Sequence, residues 1–245
     1  MNNPTPHFLV GALDQDCAGQ TLEYAQQIGQ ILNSQVDCWR TAVDDDKLDD
    51  LLAKAQIDCD LLFLSEPTQR HLIARLTQRA PHQKILDQHM PASLWLVRRP
   101  RWPIRSILLI VCGEEGEERA EEWAMRIAGV CEAQITALVI SPAAPGMYRE
   151  GTRVQTHLEL LLTTNAPIGA QLRRILHRLQ LAGMEGRLQQ HWGTPDEQIE
   201  QEIAIGDHDL VVLTSEKGSK WWRWWMGELV EPLLRWIDRP VLIVR

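Results

Sequence analysis

The sequence predicts an α/β fold in which the strands of a parallel sheet alternate with helices. Short apolar runs of strand length alternate with longer segments whose apolar residues recur at helical spacing. This alternation is typical of right-handed βαβ units. The same order of elements occurs twice along the chain, which predicts two domains of one kind.

The composition bounds the class of protein. The chain has 245 residues, of which 44% are hydrophobic and 24% charged, as in ordinary globular proteins. A net charge of -8 argues against a nucleic-acid partner. We find no signal peptide and no apolar run near the ~20 residues that span a bilayer. The scattered cysteines form no C-x-x-C pair, which favours reduced thiols and a cytoplasmic location; they are residues 17, 38, 59, 112 and 131.

The first half contains four predicted strands with helices between them. The strands are predicted at 8–13, 36–41, 60–65 and 94–98. A helix is predicted around 22–32, where apolar residues recur at helical spacing. A short helix at 47–55 begins with an acidic turn, and a polar helix of undefined length is predicted within 67–89.

The segment RPRWPIR, residues 99–105, separates the two halves. Its two prolines cannot donate to a sheet ladder and interrupt both periodicities. We therefore predict a first domain at 1–100, a linker at 101–105 and a second domain at 106–245.

The second half repeats the plan of the first. Equivalent residues lie 99 positions apart at first and 149 apart later, as in the pairs Ala25 and Ala124, Ile28 and Ile127, Val36 and Ile135, Asp60 and Asp209. The second half therefore carries a further 50 residues between its second and its penultimate strand. We predict that the first domain is a shortened version of the second, with one strand–helix pair missing.

The second half contains five predicted strands. They lie at 106–112, from 134 onward, 188–192, 210–213 and 241–244, with helices at 118–131 and within 167–182. A loop is expected from 141 to about 156. Gly183 is a natural helix stop, and Thr194, Pro195 and Glu197 predict the capped start of another helix.

Several of these segments resemble the universal stress protein family. ILLIVCGEEGEERAEEWAMRIA is similar to that family's first strand, loop and helix, and HWGTPDEQI to its turn after the third strand. DLVVLTSEKG and RPVLIVR resemble its last two strands. The resemblance covers most of 105–245 and implies two tandem domains of the adenine nucleotide alpha hydrolase-like fold. It also implies that the ending strands, Leu94–Arg98 and Val241–Arg245, lie near each other about a pseudo-twofold axis.

The nucleotide-binding members of the family hold the nucleoside with an Asp after the first strand, and wrap the phosphates with Gly-x-x-Gly, nine residues and Gly-Ser or Gly-Thr. Glycines suit this role because their backbone N–H groups can approach phosphate oxygens. The resemblance implies that an ATP or AMP site would comprise Cys112, Gly113, Thr214, Lys217, Gly218, Ser219 and Gly227. Cys112 replaces the Asp, Thr214 and Lys217 replace both glycines, and Glu228 replaces the final hydroxyl residue. A degenerate motif and no cofactor are therefore predicted.

Four tryptophans, Trp221, Trp222, Trp224 and Trp225, lie within five residues. They either form a loop that buries its own side chains over the end of the sheet, or provide a contact surface. Tryptophan is enriched at protein interface hot spots and at membrane surfaces. The contact reading predicts a protein partner or a homodimer, and it leaves a peripheral membrane contact open.

No catalytic constellation is found. The histidines lack metal-site spacing, and neither G-x-S-x-G nor a Walker A loop is present. Cys112 could be a redox thiol or a small buried replacement for the Asp. The acidic residues 114–118 are expected to be a solvated first helical turn. Three hypotheses remain: a non-catalytic cytoplasmic stress-response regulator that acts through protein contacts, an ATP or AMP sensor, and a weak ATPase.

Overall fold

The structure is a computed structural model. It describes residues 6–12, 15–40, 51, 55, 59–65, 92–112, 117–141, 154–214, 234 and 237–245. The helices predicted at 47–55 and within 67–89 fall mostly outside these residues.

The chain forms two compact units. Unit 1 comprises residues 1–103 and 235–245, and unit 2 comprises residues 104–234. The division falls inside the segment 101–105, whereas the sequence-based second domain, 106–245, also includes the C-terminal residues. The sequence-based domain boundaries remain a prediction.

Unit 1 is a parallel sheet completed by one antiparallel strand. In chain order its strands are β1 (His7–Ala12), β2 (Gln35–Arg40), β3 (Leu61–Ser65), β4 (Ser93–Val97) and β9 (Val241–Val244), and helix α1 (Gln15–Leu32) joins β1 to β2. The spatial order is β2-β1-β3-β4-β9. β3, β4 and β9 are buried along their whole length, as expected for strands covered on both faces.

Aromatic side chains fill the core of unit 1. Trp95 on β4 stacks on Phe63 of β3, with ring centroids 5.0 Å apart. Tyr24 of α1 meets the Trp95 ring edge-on at 5.9 Å. Since these pairs bury large apolar surfaces in favourable geometries, they fix α1 against the centre of the sheet.

The C-terminal strand pairs with β4. Leu94, Trp95 and Leu96 face Ile243, Leu242 and Val241 in an antiparallel register. Next to this pairing, the buried Arg98 guanidinium donates to the carbonyl of Ile237 at 3.0 Å. The expected proximity of Leu94–Arg98 and Val241–Arg245 is therefore confirmed.

Unit 2 contains four parallel strands. They are β5 (Ser106–Val111), β6 (Gln134–Ser141), β7 (Gly186–Trp192) and β8 (Leu210–Thr214), in the spatial order β8-β5-β6-β7. The described helices of unit 2 are α2 (Glu118–Cys131), α3 (Val154–Thr163), α4 (Pro167–Ala182) and α5 (Pro195–Gly206). The predicted α/β fold with parallel sheets is thereby confirmed.

Two local predictions differ from the structure. Thr194 stands at the N-cap of α5 without a side-chain capping hydrogen bond, so the predicted capping box does not form. Helix α3 occupies part of the segment expected to be a loop up to about residue 156. Gly183 ends α4 in the left-handed conformation, with φ of 64°, as predicted.

Equivalent hydrogen bonds occur at the same places in both units. The amide of Asp60 donates to the carbonyl of His7 at 2.9 Å, and the amide of Asp209 donates to that of Ser106 at 2.8 Å. The Asp60 carboxylate accepts the His7 amide at 2.9 Å. The Asp209 carboxylate accepts the amides of Arg105 and Ser106 at 2.9 and 3.1 Å. Each Asp therefore ties the start of its own strand to the start of the neighbouring strand.

The helices that follow β1 and β5 also end alike. Asn33 and Glu132 both adopt positive φ, of 52° and 53°. In each case the next amide donates to the carbonyl five residues earlier, at 2.8 and 3.0 Å. These matched C-termini lie 99 positions apart in the sequence, the same offset that relates the apolar pattern of α1 to that of α2.

In the part of the chain that the structure describes, no helix combines the length and the apolar character needed to cross a membrane.

Candidate functional site

The candidate site lies at the carboxyl end of β5 in unit 2. The neighbours of β5 are β8 on one side and β6 on the other, all parallel. The chain continues from β5 through α2 to β6, whereas β8 comes later, so the strand order reverses beside β5. Ligands of open α/β sheets bind at such switch points, outside the carboxyl ends of the strands.

Two of the predicted nucleotide residues are brought to this edge. Cys112 directly follows β5 and is half-buried, while Thr214 is the last residue of β8 and is buried. Because β5 and β8 are parallel neighbours, these residues share one end of the sheet. The other predicted residues lie outside the described part of the chain: Gly113, Lys217, Gly218, Ser219, Gly227 and the tryptophans Trp221, Trp222, Trp224 and Trp225.

The backbone amide of Cys112 is bound by a carboxylate of its own chain. It donates to both oxygens of Glu117, at 3.0 and 3.1 Å. Glu117 occupies the N-cap position of α2 but makes no side-chain cap to that helix. Its carboxylate instead accepts the amide of Cys112, the residue that directly follows β5. A charged acceptor makes such hydrogen bonds stronger than neutral ones.

Glu117 belongs to a buried polar cluster with Glu121 and Gln171. The Gln171 amide nitrogen donates to Glu117 at 2.6 Å and to Glu121 at 3.0 Å. These three residues are only 2%, 1% and 4% exposed. The Oε1 atom of Gln171 has no hydrogen-bond partner among the described residues. One helix of unit 2, α4, is thus joined to the end of β5 through buried carboxylates.

Arginines of α4 neutralise Glu121. Arg174 donates to its two oxygens at 2.8 and 3.2 Å, and Arg178 lies 3.7 Å away. The hydrogen bond to Glu121 raises the pKa of Arg174 above its ordinary value, against the opposing effect of burial. Such compensation is needed because an unpaired buried carboxylate is strongly destabilising.

The expectation that residues 114–118 carry solvated charge is wrong for Glu117. Glu117 and Glu121 are spaced i, i+4 on α2, and Ala124 and Ala128 continue the same buried stripe. The two carboxylates therefore face inward together with these alanines. The sequence could have indicated this burial, because Glu117 and Glu121 lie at helical spacing from Ala124 and Ala128.

A second buried cluster surrounds Glu202 of α5. Its oxygens lie 3.1 Å from the Nε2 atom of His208 and 3.4 Å from that of His191. The Gln189 amide nitrogen, in the orientation that satisfies its neighbours, donates to both oxygens at 2.7 and 2.8 Å. The Ser106 hydroxyl lies 2.9 Å from the other ring nitrogen of His208. These bonds join α5 to β7, to His208 just before β8 and, through His208, to β5.

Within the described ranges, no group of three or more His, Cys, Asp or Glu side chains is arranged to hold a metal ion.

Comparison with known proteins agrees with this fold. The family model described as the universal stress protein family matches residues 103–245, which is more than half of the chain. The chain therefore belongs to the universal stress protein family, as its sequence motifs had predicted. No curated protein matches the chain significantly.

Two solved structures, from Pseudomonas aeruginosa and Archaeoglobus fulgidus, show the same fold. A putative universal stress protein from Pseudomonas aeruginosa UCBPP-PA14 is 18% identical, with a TM-score of 0.58 over 98% of this chain and 82% of its own. One from Archaeoglobus fulgidus DSM 4304 is 12% identical, with a TM-score of 0.60 over 97% of this chain and 85% of its own. A universal stress protein in complex with cAMP is 21% identical over 58% of this chain and 97% of its own, with a TM-score of 0.45.

Proposed function

We propose that this chain is a cytoplasmic, non-catalytic stress-response regulator of the tandem universal stress type, which acts through protein contacts without a bound nucleotide. The observation that carries this proposal is the environment of Cys112. Its amide, at the end of β5, is already bound by the Glu117 carboxylate.

The chemistry of this edge is unfavourable for a nucleotide. The resemblance assigns the nucleoside-binding position to Cys112, whose thiol offers no carboxylate oxygens to ribose hydroxyls. Thr214 stands where the phosphate loop would begin with a glycine, and it is buried at the end of β8. The Glu117 carboxylate, which accepts the Cys112 amide, would repel a phosphate group placed beside it.

The tandem arrangement is supported by the matched hydrogen bonds of the two units. Asp60 and Asp209 each accept the amide that begins the neighbouring strand. Each position in unit 1 has its counterpart at the offset of 99 or 149 residues that the sequence repeat predicts. Two unrelated domains would have no reason to share these offsets.

A second candidate function is ATP or AMP sensing. It is favoured by the location of Cys112 and Thr214 at the switch point of the unit 2 sheet, where ligands of such sheets bind. The experiment that separates the two functions is to denature the purified protein and measure released adenine nucleotide by absorbance and chromatography. Stoichiometric ATP or AMP would favour the sensor and contradict the nucleotide-independent regulator.

The proposed contact surface comprises Trp221, Trp222, Trp224 and Trp225, whose structure lies outside the described residues. If this segment is a helix, successive positions differ by 100°, so Trp221 and Trp224 cannot both face a stripe that contains Trp222; if it is a loop, it can bury some of its own side chains. Exposed indoles would form an apolar patch of the kind that marks interfaces. A protein partner or a second copy of the chain would cover it, and a peripheral membrane contact is the alternative.

We predict that replacing Trp221 and Trp224 with Ser lowers the oligomeric or partner-bound fraction in size-exclusion chromatography and leaves the thermal midpoint nearly unchanged. A double replacement of Trp102 and Trp123, which are partly exposed, serves as the control for loss of surface tryptophans. If the Trp221 and Trp224 variant instead unfolds, these residues belong to the core and the contact surface is disproved.

A further inference from the structure

Helix α3 carries leucines that the described residues leave partly uncovered. They are Leu158, Leu160, Leu161 and Leu162; none of them is buried, and Leu160 is 57% exposed. Successive helical positions differ by about 100°, so residues 160–162 alone span about 200° of the helix circumference. Among the described elements α3 packs chiefly against α4, which covers only one side of it. An apolar helix surface of this kind is typical of a contact site.

The contacts of α4 place α3 beyond the edge of the sheet. Gln171 and Arg174 of α4 bond to Glu121 of α2. Gly169 and Arg173 adjoin the C-terminal end of α3, and on a helix they point about 150° away from the first pair. α2 packs over β8, β5 and β6, and α4 packs over β7. Since the spatial order is β8-β5-β6-β7, α3 lies past β7, where the described sheet ends.

β7 directs backbone groups toward the side on which α3 lies. In a parallel pair, alternate residues of a strand bond to the same neighbour. Ile135 is the register partner of Gly186, and its amide donates to the carbonyl of Glu185 at 3.1 Å, so the odd-numbered residues of β7 bond to β6. The N–H and C=O groups of Gly186 and Leu188 therefore point away from β6.

We infer that this edge of β7 and the overhanging α3 form a docking site for one extended peptide segment of a partner protein. The segment adds a strand to the sheet and lies against the leucines. Neighbouring helices lie about 8–10 Å apart and neighbouring strands about 4.7–4.9 Å apart, so α3 overhangs about two strand positions. The inference goes beyond the proposed function, since it involves neither the tryptophans nor the nucleotide edge.

A second copy of the chain does not fit this docking site. Antiparallel pairing of two β7 strands about a twofold axis would keep the helices of both copies on the same face of the joined sheet. The α4 helix of the second copy covers its own β7, so it would collide with α3 of the first copy. A single peptide strand brings no such helix.

The faces of β7 define the chemistry of the peptide. Leu188 shares its face with Gly186, at which an added Cβ atom would lie 2.5 Å from a methyl carbon of Leu179 in α4. Arg187 lies on the opposite face; it is exposed and donates to the Thr136 hydroxyl at 3.1 Å. Among the described side chains Arg187 has no carboxylate partner. The peptide therefore alternates apolar side chains toward α3 with acidic side chains toward Arg187.

The test uses a fluorescent synthetic peptide of about eight residues, a strand length, in which valine and glutamate alternate. Its binding is measured by fluorescence anisotropy and compared with that of a peptide in which valine and lysine alternate. Leu188→Pro removes the outward N–H and no bond to β6. Leu188→Ala is the matched control, because it also removes the leucine side chain but keeps the N–H.

We expect the wild type to bind the glutamate peptide at least about tenfold more tightly than the lysine peptide, because of the charge of Arg187. Leu188→Pro should weaken this binding at least about tenfold relative to Leu188→Ala, since strand addition depends on main-chain bonds. Equal affinity of the two Leu188 variants, or a wild type that binds neither peptide, would overturn the inference.

Amide hydrogen exchange of the wild type gives a decision even if Leu188→Pro does not fold. Without peptide, the Leu188 amide should exchange much faster than the Ala137 amide inside β6, and the glutamate peptide should slow it. Slow exchange without peptide would show that the chain itself already covers this edge, and the docking site would be disproved. Replacing Trp221 and Trp224 should leave peptide binding unchanged, so failure of the tryptophan contact surface and failure of this docking site are distinguishable.

Discussion

Asp209 is a single residue that joins two strands of unit 2. Its carboxylate accepts the amides of Arg105 and Ser106 at the start of β5. Asp209→Ala should lower the free energy of unfolding by about 2 kcal/mol, because two amides lose a charged acceptor. Urea titration followed by circular dichroism measures this change.

The control for Asp209 is Glu200→Ala, an acidic-to-alanine change at an exposed position of α5. It should change the unfolding free energy by no more than about 0.5 kcal/mol. Equal stability of the two variants would show that the carboxylate of Asp209 adds nothing to strand pairing.

The thiols of Cys131 and Cys38 should differ in their reactivity. Burial raises the pKa of Cys131 above its ordinary value of 9.0, and only the thiolate reacts with alkylating reagents. Below that pH Cys131 should therefore be alkylated more slowly than the exposed Cys38. Its rate should keep rising above pH 9, as read by peptide mass spectrometry. A Cys131 rate that levels off below pH 9 would disagree with a raised pKa.

At the scale of elements, α3 and α4 are packed through Gly169. A Cβ atom at this position would lie 2.2 Å from the backbone carbonyl of Leu161 and 2.9 Å from the Thr164 hydroxyl. The backbone carbonyl of Leu161 cannot move away from the added Cβ atom as the end of a flexible side chain could. Gly169→Ala should therefore lower the unfolding free energy by about 1–3 kcal/mol through overpacking.

Gly19→Ala is the matched control, because Gly19 is also helical but has no atom within 4 Å of the added Cβ. This change should stabilise the protein by about 0.5–1 kcal/mol. The two variants should thus shift the thermal midpoint in opposite directions. A shift of the same sign for both would contradict the close packing at Gly169.

Elements with strong periodicity were predictable from the sequence. α2 and α4 begin and end where their apolar spacing and Gly183 indicate. The strands were predicted from their runs of apolar residues. α3 was missed because it has only 10 residues and begins within the segment that the sequence analysis expected to be a loop. The sequence predicted a capping hydrogen bond from the Thr194 side chain, which the structure lacks. A suitable residue at the N-cap does not ensure that this bond forms.

The candidate site was predictable in position but only partly in chemistry. The family resemblance implied that Cys112 and Thr214 belong to one nucleotide site, so their shared location was expected. The role of Glu117 was not expected, because its partner Gln171 comes from a distant part of the chain. Only the packing of α4 against α2 brings Gln171, 54 residues away, to the carboxylate.

At the scale of the whole molecule, the proposal is that a universal stress protein keeps its fold while its nucleotide edge is closed. The fold depends on buried strands and on repeated strand-end hydrogen bonds, which do not require a ligand. Loss of the nucleotide site would therefore leave the protein stable. Added ATP should not raise the thermal midpoint, since only a ligand that binds the native state stabilises it.

The most direct test of this proposal is a calorimetric titration of the wild-type protein with ATP and magnesium. We predict no binding at micromolar concentrations, because Cys112 lacks the carboxylate of the resembled site and its amide is held by Glu117. A saturable micromolar signal with a stoichiometry near one would contradict the proposal and identify the chain as a nucleotide sensor.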